Sequence, residues 1–193
     1  MKGKLVLIIG PSGVGKSAIL RRLQAGNATF HFPRSATTRA RRQGESSDLY
    51  HFVTEPEMDT LINEGKVLEW AKVHGGARYA TLIDEIIPFI ERGTTVIREV
   101  DVQGFESIRR HPLFSGDSPM YRLQSIFILP ESTEQLLAHI AKRAPMARDE
   151  LDRRMKSIEK ELAFASLCTA QVRNREGKLE ETIKEVEKLV LQK

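Results

Sequence analysis

The sequence predicts an α/β protein, a parallel sheet flanked by helices, on three observations. Runs such as Leu5-Val6-Leu7-Ile8-Ile9 and Thr94-Thr95-Val96-Ile97 have the unbroken apolar or β-branched character of strands buried on both faces. Segments with helical spacing alternate with such runs along the chain. Between the first run and the first helix stands Gly10-Pro11-Ser12-Gly13-Val14-Gly15-Lys16-Ser17, a complete phosphate-binding loop. Its glycines let the backbone curl, so that successive N–H groups and the N-terminus of the next helix converge on one anionic centre. Gly10, Ser12, Gly13, Val14 and Gly15 form the cradle; Lys16 is expected to reach the β/γ-phosphates and Ser17 to hold Mg²⁺. A glycine-rich turn that binds nothing has no use for Lys16 and Ser17 together.

A chain of 193 residues suits one α/β domain, or a core with small insertions. Hydrophobic content of 40% and charged content of 29% exclude wholesale disorder. The net charge of +4 is modest, and much of the excess is concentrated in 34–42 and 142–160, which fits small polyanions better than a nucleic-acid duplex. The single cysteine, Cys168, excludes an internal disulfide framework, agrees with a reducing compartment and reads as a packing residue. The N-terminus enters a strand without a leader or long apolar run, so neither export nor membrane insertion is expected and the cytoplasm is the expected location.

After the first helix, Gly26-Asn27 is a stop and Thr29-Phe30-His31-Phe32 reads as a short strand ending at Pro33. Residues 34–48 are basic, polar and without period, and are expected to form a surface loop. A basic run can be merely solvated, but this one follows a nucleotide-binding unit, where a second phosphorylated substrate would dock. Tyr50 to Val53 reads as a strand, Glu55 to Glu64 as a helix, Val67 to Val73 as a strand, and Gly75-Gly76 as a turn. Tyr79-Ala80-Thr81 leads into a helix expected over Leu82 to Glu91, interrupted late by Pro88. Residues 94–97 return to buried-strand character, with Arg98 to Gly104 at the carboxyl end, where ligands of open α/β sheets collect. The next strand runs to Leu129. Ser132 is placed to cap a helix over Thr133 to Lys142, a loop follows from Arg143 to Asp149, and a long helix is expected over Glu150 to Leu167. A short strand at Gln171 to Asn174 and an amphipathic helix over Leu179 to Leu191 complete the chain.

Read in order, these residues resemble the guanylate kinase family, P-loop kinases that move the γ-phosphoryl group of ATP onto GMP. The resemblance runs over nearly the whole chain. It is carried by Ser35-x-Thr37-Thr38-Arg39-x-x-Arg42-x-Gly44-Glu45, Tyr50-x-Phe52-Val53, Glu69-Trp70-Ala71, Tyr79-x-Thr81 and Asp101-x-Gln103-Gly104. It implies a P-loop kinase core over 1–33 and 94–193 with a lid about 139–154, and a small inserted GMP-binding subdomain over 34–93. By the same resemblance Arg39, Arg42, Tyr50 and Tyr79 hold the GMP phosphate, with Ser35 nearby, and Glu69, Thr81 and Asp101 hold the base, with Ser35 again implicated. The lid arginines match at Arg143 and Arg154, Asn174 matches a residue near the adenine, and Glu99 stands where the family has aspartate, acting through water on Mg²⁺.

The chemistry agrees independently. A guanidinium fork suits a phosphate dianion, and two such forks with phenol donors fix its orientation. A carboxylate such as Glu69 accepts from both N1–H and the exocyclic amine of guanine, whereas adenine has no N1–H and leaves that acceptor unpaired. Several positions depart from the family pattern: Arg41, Arg78, Ala80, His139, Ala144-Pro145 and Arg175, which bear on lid geometry more than on the GMP site. His31 and His74 read as ordinary packing or loop histidines. The expected partners are ATP with Mg²⁺ and GMP, with no nucleic acid and no membrane, in a monomer or homodimer. Two alternatives stay open: a P-loop kinase for another phosphorylated acceptor, and a non-catalytic guanylate-kinase-like interaction module.

Overall fold

The computed structural model describes residues 2–45, 49–73, 75–143 and 148–192, with the backbone alone for 138, 139, 141–143, 148, 149, 151 and 152. In chain order it runs β1 (Lys4–Ile9), α1 (Lys16–Gly26), β2 (Phe30–His31), β3 (Ser35–Thr37), β4 (Tyr50–Phe52), α2 (Glu55–Asn63), β5 (Val67–Lys72), β6 (Arg78–Leu82), α3 (Ile87–Glu91), β7 (Thr95–Glu99), α4 (Val102–Arg110), β8 (Arg122–Pro130), α5 (Thr133–Arg143), α6 (Arg148–Leu162), β9 (Ala170–Asn174) and α7 (Leu179–Leu191). Two compact units divide the chain: Met1–Leu5, Thr29–Arg98 and Gln103–Leu123 in one, Val6–Ala28, Glu99–Val102 and Gln124–Lys193 in the other.

A five-stranded sheet has the order β2-β7-β1-β8-β9, with β2 parallel to β7 and β8 parallel to β9. Of the two runs read as doubly buried strands, Leu5 to Ile9 are fully buried, whereas in the second only Val96 and Ile97 are buried and Thr94 and Thr95 are half-exposed; Ile126, Phe127 and Ile128 of β8 are also fully buried. On α7, Ile183, Val186 and Val190 are buried, one face of the amphipathic pattern. Ser132 caps α5, its Oγ accepting from Gln135 N at 3.1 Å.

A second sheet, in the order β4-β3-β6-β5, mixes a parallel β3–β4 pair with antiparallel β3–β6 and β5–β6 pairs. On one face Ala36 and Ala80, opposite one another across β3 and β6, bury with Met58 of α2. Val53, Leu61, Ile62, Val67 and Leu82 pack around them. Helix α2 is fixed at its start by a capping box between Thr54 and Glu57, with Pro56 in the first turn.

Four expectations need correction. Residues 34–48 are not all loop, because Ser35–Thr37 form β3, with Ala36 and Thr37 fully buried. A three-residue strand shows no period of its own, and its partners on β6 lie more than 40 residues along the chain. The helix expected over 82–91 is instead the last residue of β6, a 3₁₀ turn over Ile83–Glu85 and then α3. Pro88 lies in the first turn of α3, where its missing N–H costs nothing, so it marks a start rather than an interruption. Helix α4 was not anticipated, since Gly104 so near its start reads as a breaker; Gly104, Phe105 and Ile108 are its buried side. The long helix begins at Arg148, not Glu150, and ends at Leu162 in a 3₁₀ turn over Ala163–Leu167.

Candidate functional site

The phosphate-binding loop joins β1 to α1. Gly15 caps the helix in the left-handed region at φ 101°, and a Cβ there would meet Asn174 Nδ2 at 2.7 Å. At Gly10 a Cβ would meet Ile128 O at 2.5 Å. The first turn of α1 holds no acidic side chain, which leaves its positive end available to an anion. Lys16 is nearly buried, with its Nζ donating to Gly10 O at 2.6 Å and Pro11 O at 3.1 Å and lying 3.7 Å from Glu99 Oε1. Burial pushes its ammonium down from the usual lysine range, while Glu99, Glu161 and Asp101 pull it back up. A polyphosphate brought to Nζ would favour the charged form further.

Ser17 Oγ donates to Glu99 Oε2 at 3.2 Å. Ser12, Gly13, Gly15, Lys16, Ser17, Arg21 and Glu99 line a cavity of about 330 Å³. A hydroxyl and a carboxylate side by side are hard oxygen donors. They suit a Mg²⁺ ion that keeps most of its waters and takes its other ligands from phosphates, so the residues present fit that ion. Among the described residues no cluster of three acidic, histidine or cysteine side chains could hold a metal alone.

Asn174 serves the loop directly. Its Nδ2 donates to Val14 O at 2.9 Å, and its Oδ1 accepts from Thr182 Oγ1 at 3.0 Å. It thus ties the loop to β9 and α7, a role no local signal announces across 160 residues. Asn174 also lines, with Gly13, Gly15, Pro130, Leu136 and Arg175, a second cavity of about 210 Å³. Asp101 is exposed just before α4 in the same unit. Arg154 is exposed on α6. Arg143 ends α5, but its side chain lies outside the described residues, as do the side chain of His139 and all of Ala144 and Pro145.

In the other unit, strand register brings the predicted acceptor residues into one row. Tyr50 of β4 is opposite Ser35 of β3, Ser35 is opposite Thr81 of β6, and Thr81 is opposite Glu69 of β5. Directly paired residues share a face, and successive residues alternate, so this row lies on the side away from Ala36, Ala80 and Met58. Tyr79, two residues from Thr81, shares it. Glu69 reaches it through an irregularity: β5 carries one extra residue between Val67 and Glu69. Val67 pairs with Leu82 on the core side, and without the bulge Glu69 would follow it there. Thr81 Oγ1 donates to Glu69 Oε1, and both side chains are largely withdrawn from solvent.

Arg39 lies beyond β3. Its Nε donates to Tyr79 Oη at 3.0 Å, and its guanidinium is 5.4 Å from the centre of the Tyr50 ring. The two terminal nitrogens of its fork donate to the two carboxylate oxygens of Glu45, at 3.0 and 2.6 Å. Arg42 N donates to Glu45 Oε2 at 3.0 Å, while the Arg42 side chain is exposed. The Arg39 fork, then the Arg42 N–H, hold the Glu45 carboxyl down to about 2. Glu45 thus occupies the fork in the bidentate manner of a phosphate dianion. Sequence reasoning quoted Glu45 within a motif but gave it no role. Of the histidines, His31 stacks on Phe89 at 3.4 Å between ring centres, a packing role, and His74 lies outside the described residues.

The guanylate kinase family profile matches residues 2–193. A guanylate kinase of Nocardia farcinica is 36% identical over 164 residues, which cover 84% of this chain and 81% of that relative. A guanylate kinase of Prochlorococcus marinus is 34% identical over 188 residues, covering 97% of this chain and 96% of that one. Among solved structures, the guanylate kinase of Anaplasma phagocytophilum has a similar fold, with a TM-score of 0.68 and 23% identity over 98% of this chain and 85% of that one.

Proposed function

The chain belongs to the guanylate kinase family, and from that premise we propose that it transfers the γ-phosphoryl group of ATP to GMP, giving ADP and GDP, with dGMP a second acceptor. The observation that carries the acceptor is the row of Tyr50, Ser35, Thr81 and Glu69, which offers a buried carboxylate and hydroxyls on one sheet face. Glu69 and Thr81 bind the guanine edge, with Ser35 beside them, and Asp101 is assigned to the base as well. Arg39, Arg42, Tyr50 and Tyr79 clamp the GMP phosphate, the monophosphate taking over the Arg39 fork from Glu45.

For the donor, Gly10, Ser12, Gly13, Val14 and Gly15 cradle the ATP phosphates, and Asn174 holds that cradle in shape beside the adenine. Lys16 sits against the transferred group. The transition state of such a transfer is loose, with charge on the peripheral oxygens, so positioned cations supply most of the catalysis. Lys16, Arg39, Arg143 and Arg154 are those cations. Ser17 and Glu99 would hold Mg²⁺, which would supply charge neutralisation at the phosphates. In this reading residues 34–93 are the acceptor-binding insertion, 1–33 and 94–193 the core, and about 139–154 the lid. We place the enzyme in the cytoplasm, as a monomer or homodimer. No described helix is long and apolar enough to cross a membrane.

A kinase for another acceptor would leave the Glu69–Thr81 pair without a base edge to read. A non-catalytic module has no use for the Lys16 cradle. The test is a coupled assay of ADP formation from ATP and Mg²⁺ with GMP, dGMP, AMP, CMP and UMP in turn. GMP should stimulate turnover, with AMP about 10⁴-fold poorer in kcat/KM. Absence of GMP-stimulated turnover overturns the reading.

A further inference from the structure

Arg98, near the end of β7, belongs to no motif singled out in the sequence. Its side chain is only 11% exposed. One terminal nitrogen donates to Ser35 Oγ at 3.1 Å and stands 3.9 Å from Glu69 Oε1. A guanidinium is therefore built in beside the two side chains at the middle and end of the acceptor row. A buried cation is retained only where its partners repay its desolvation. Ser35 and Glu69 place that guanidinium at the acceptor row, and its planar fork is a directional donor.

Glu69 and Arg98 are an acceptor and a donor side by side, and guanine has the complementary edge: the O6 acceptor next to the N1–H and exocyclic amine donors. We propose that Arg98 is a specificity-determining residue that donates to guanine O6 while Glu69 accepts from N1–H and the amine. The inference rests on GMP being the acceptor. Adenine fails at both positions, because it turns an amine toward the guanidinium and a bare N1 lone pair toward the carboxylate. Each mismatch leaves a buried polar group unpaired, at about 10- to 100-fold in affinity. Glu69 alone tests for N1–H; Arg98 adds an independent test at C6.

The experiment compares GMP, inosine monophosphate, which keeps O6 and N1–H but lacks the amine, and 2-aminopurine ribonucleoside monophosphate, which keeps the amine but lacks O6. Turnover gives kcat/KM for the first two, and the fluorescence of the third gives its Kd directly. Arg98→Leu should lower kcat/KM for GMP and for inosine monophosphate by about 10- to 100-fold each, and leave the 2-aminopurine Kd and the KM for ATP unchanged. Arg98→Lys keeps a buried cation without the fork. It should recover part of the loss on the two O6-bearing nucleotides, and it carries the same comparison should the leucine variant fold poorly. Equal losses on all three nucleotides, or none on GMP, overturn the assignment, since a cation that only neutralises Glu69 or supports the sheet does not sense C6. If the unmodified chain shows no GMP turnover, the proposed function itself falls; GMP turnover with uniform losses removes only Arg98.

Discussion

At the scale of single residues, the two clusters are built in different ways. Lys16 is held by two loop carbonyls and a carboxylate, so its charge is positioned by the loop itself. Lys16→Met should therefore lower kcat by at least about 10²-fold, as expected for removal of a positioned charge at the reacting group, with GMP affinity unchanged in equilibrium binding. Arg39 is held instead by a stand-in, Glu45. The folded Glu45 carboxyl sits at about 2, below its ordinary 4.5. A depressed carboxyl contributes stability that is complete above the unfolded value and is lost as pH falls through the folded one. The Tm of the unmodified chain should exceed that of Glu45→Gln at pH 6, and the gap should close between about pH 4.5 and pH 2. A gap that stays constant over that range would remove the Arg39–Glu45 pair as its cause.

At the scale of elements, the small sheet is a thin platform with the row of Tyr50, Ser35, Thr81 and Glu69 on one side and Met58 of α2 on the other. Met58 is the one large side chain buried with Ala36 and Ala80. Met58→Ala should cost about 2–5 kcal/mol in urea unfolding. Because Met58 packs on the face of the sheet opposite the row, the folded fraction should bind GMP with its original affinity. The phosphate-binding loop, β1, α1 and α7 were legible in the sequence because their signals are local: a spaced motif, an unbroken apolar run, a helical stripe. Strand β3 was not, since its three residues become a strand only by pairing with Tyr50 to Phe52 and Tyr79 to Thr81. The start of α3 was misread for a different reason: one proline is compatible with either end of a helix turn, and only the ladder ending at Leu82 decides between them.

At the scale of the whole molecule, binding of either proposed substrate should register as global stability. A ligand at 100 times its Kd adds about 2.7 kcal/mol, and a chain of this size gains about 2–4 °C in Tm per kcal/mol. GMP alone should thus raise Tm by about 5–10 °C in a thermal scan, and AMP at the same concentration should not. Much of the candidate site was legible too, but as identities rather than as an arrangement. Residues 35, 50, 69, 79 and 81 carried the resemblance, whereas Glu45 and Arg98 acquire meaning only from what stands next to them in space. The extra residue in β5 shows why arrangement and identity are inseparable here. Were Leu68 instead drawn into a regular ladder opposite Thr81, Glu69 would fall opposite Ala80, and a carboxylate would be forced into the hydrocarbon layer of Ala36, Ala80 and Met58. The irregularity in β5 is thus held in place by the cost of burying that charge.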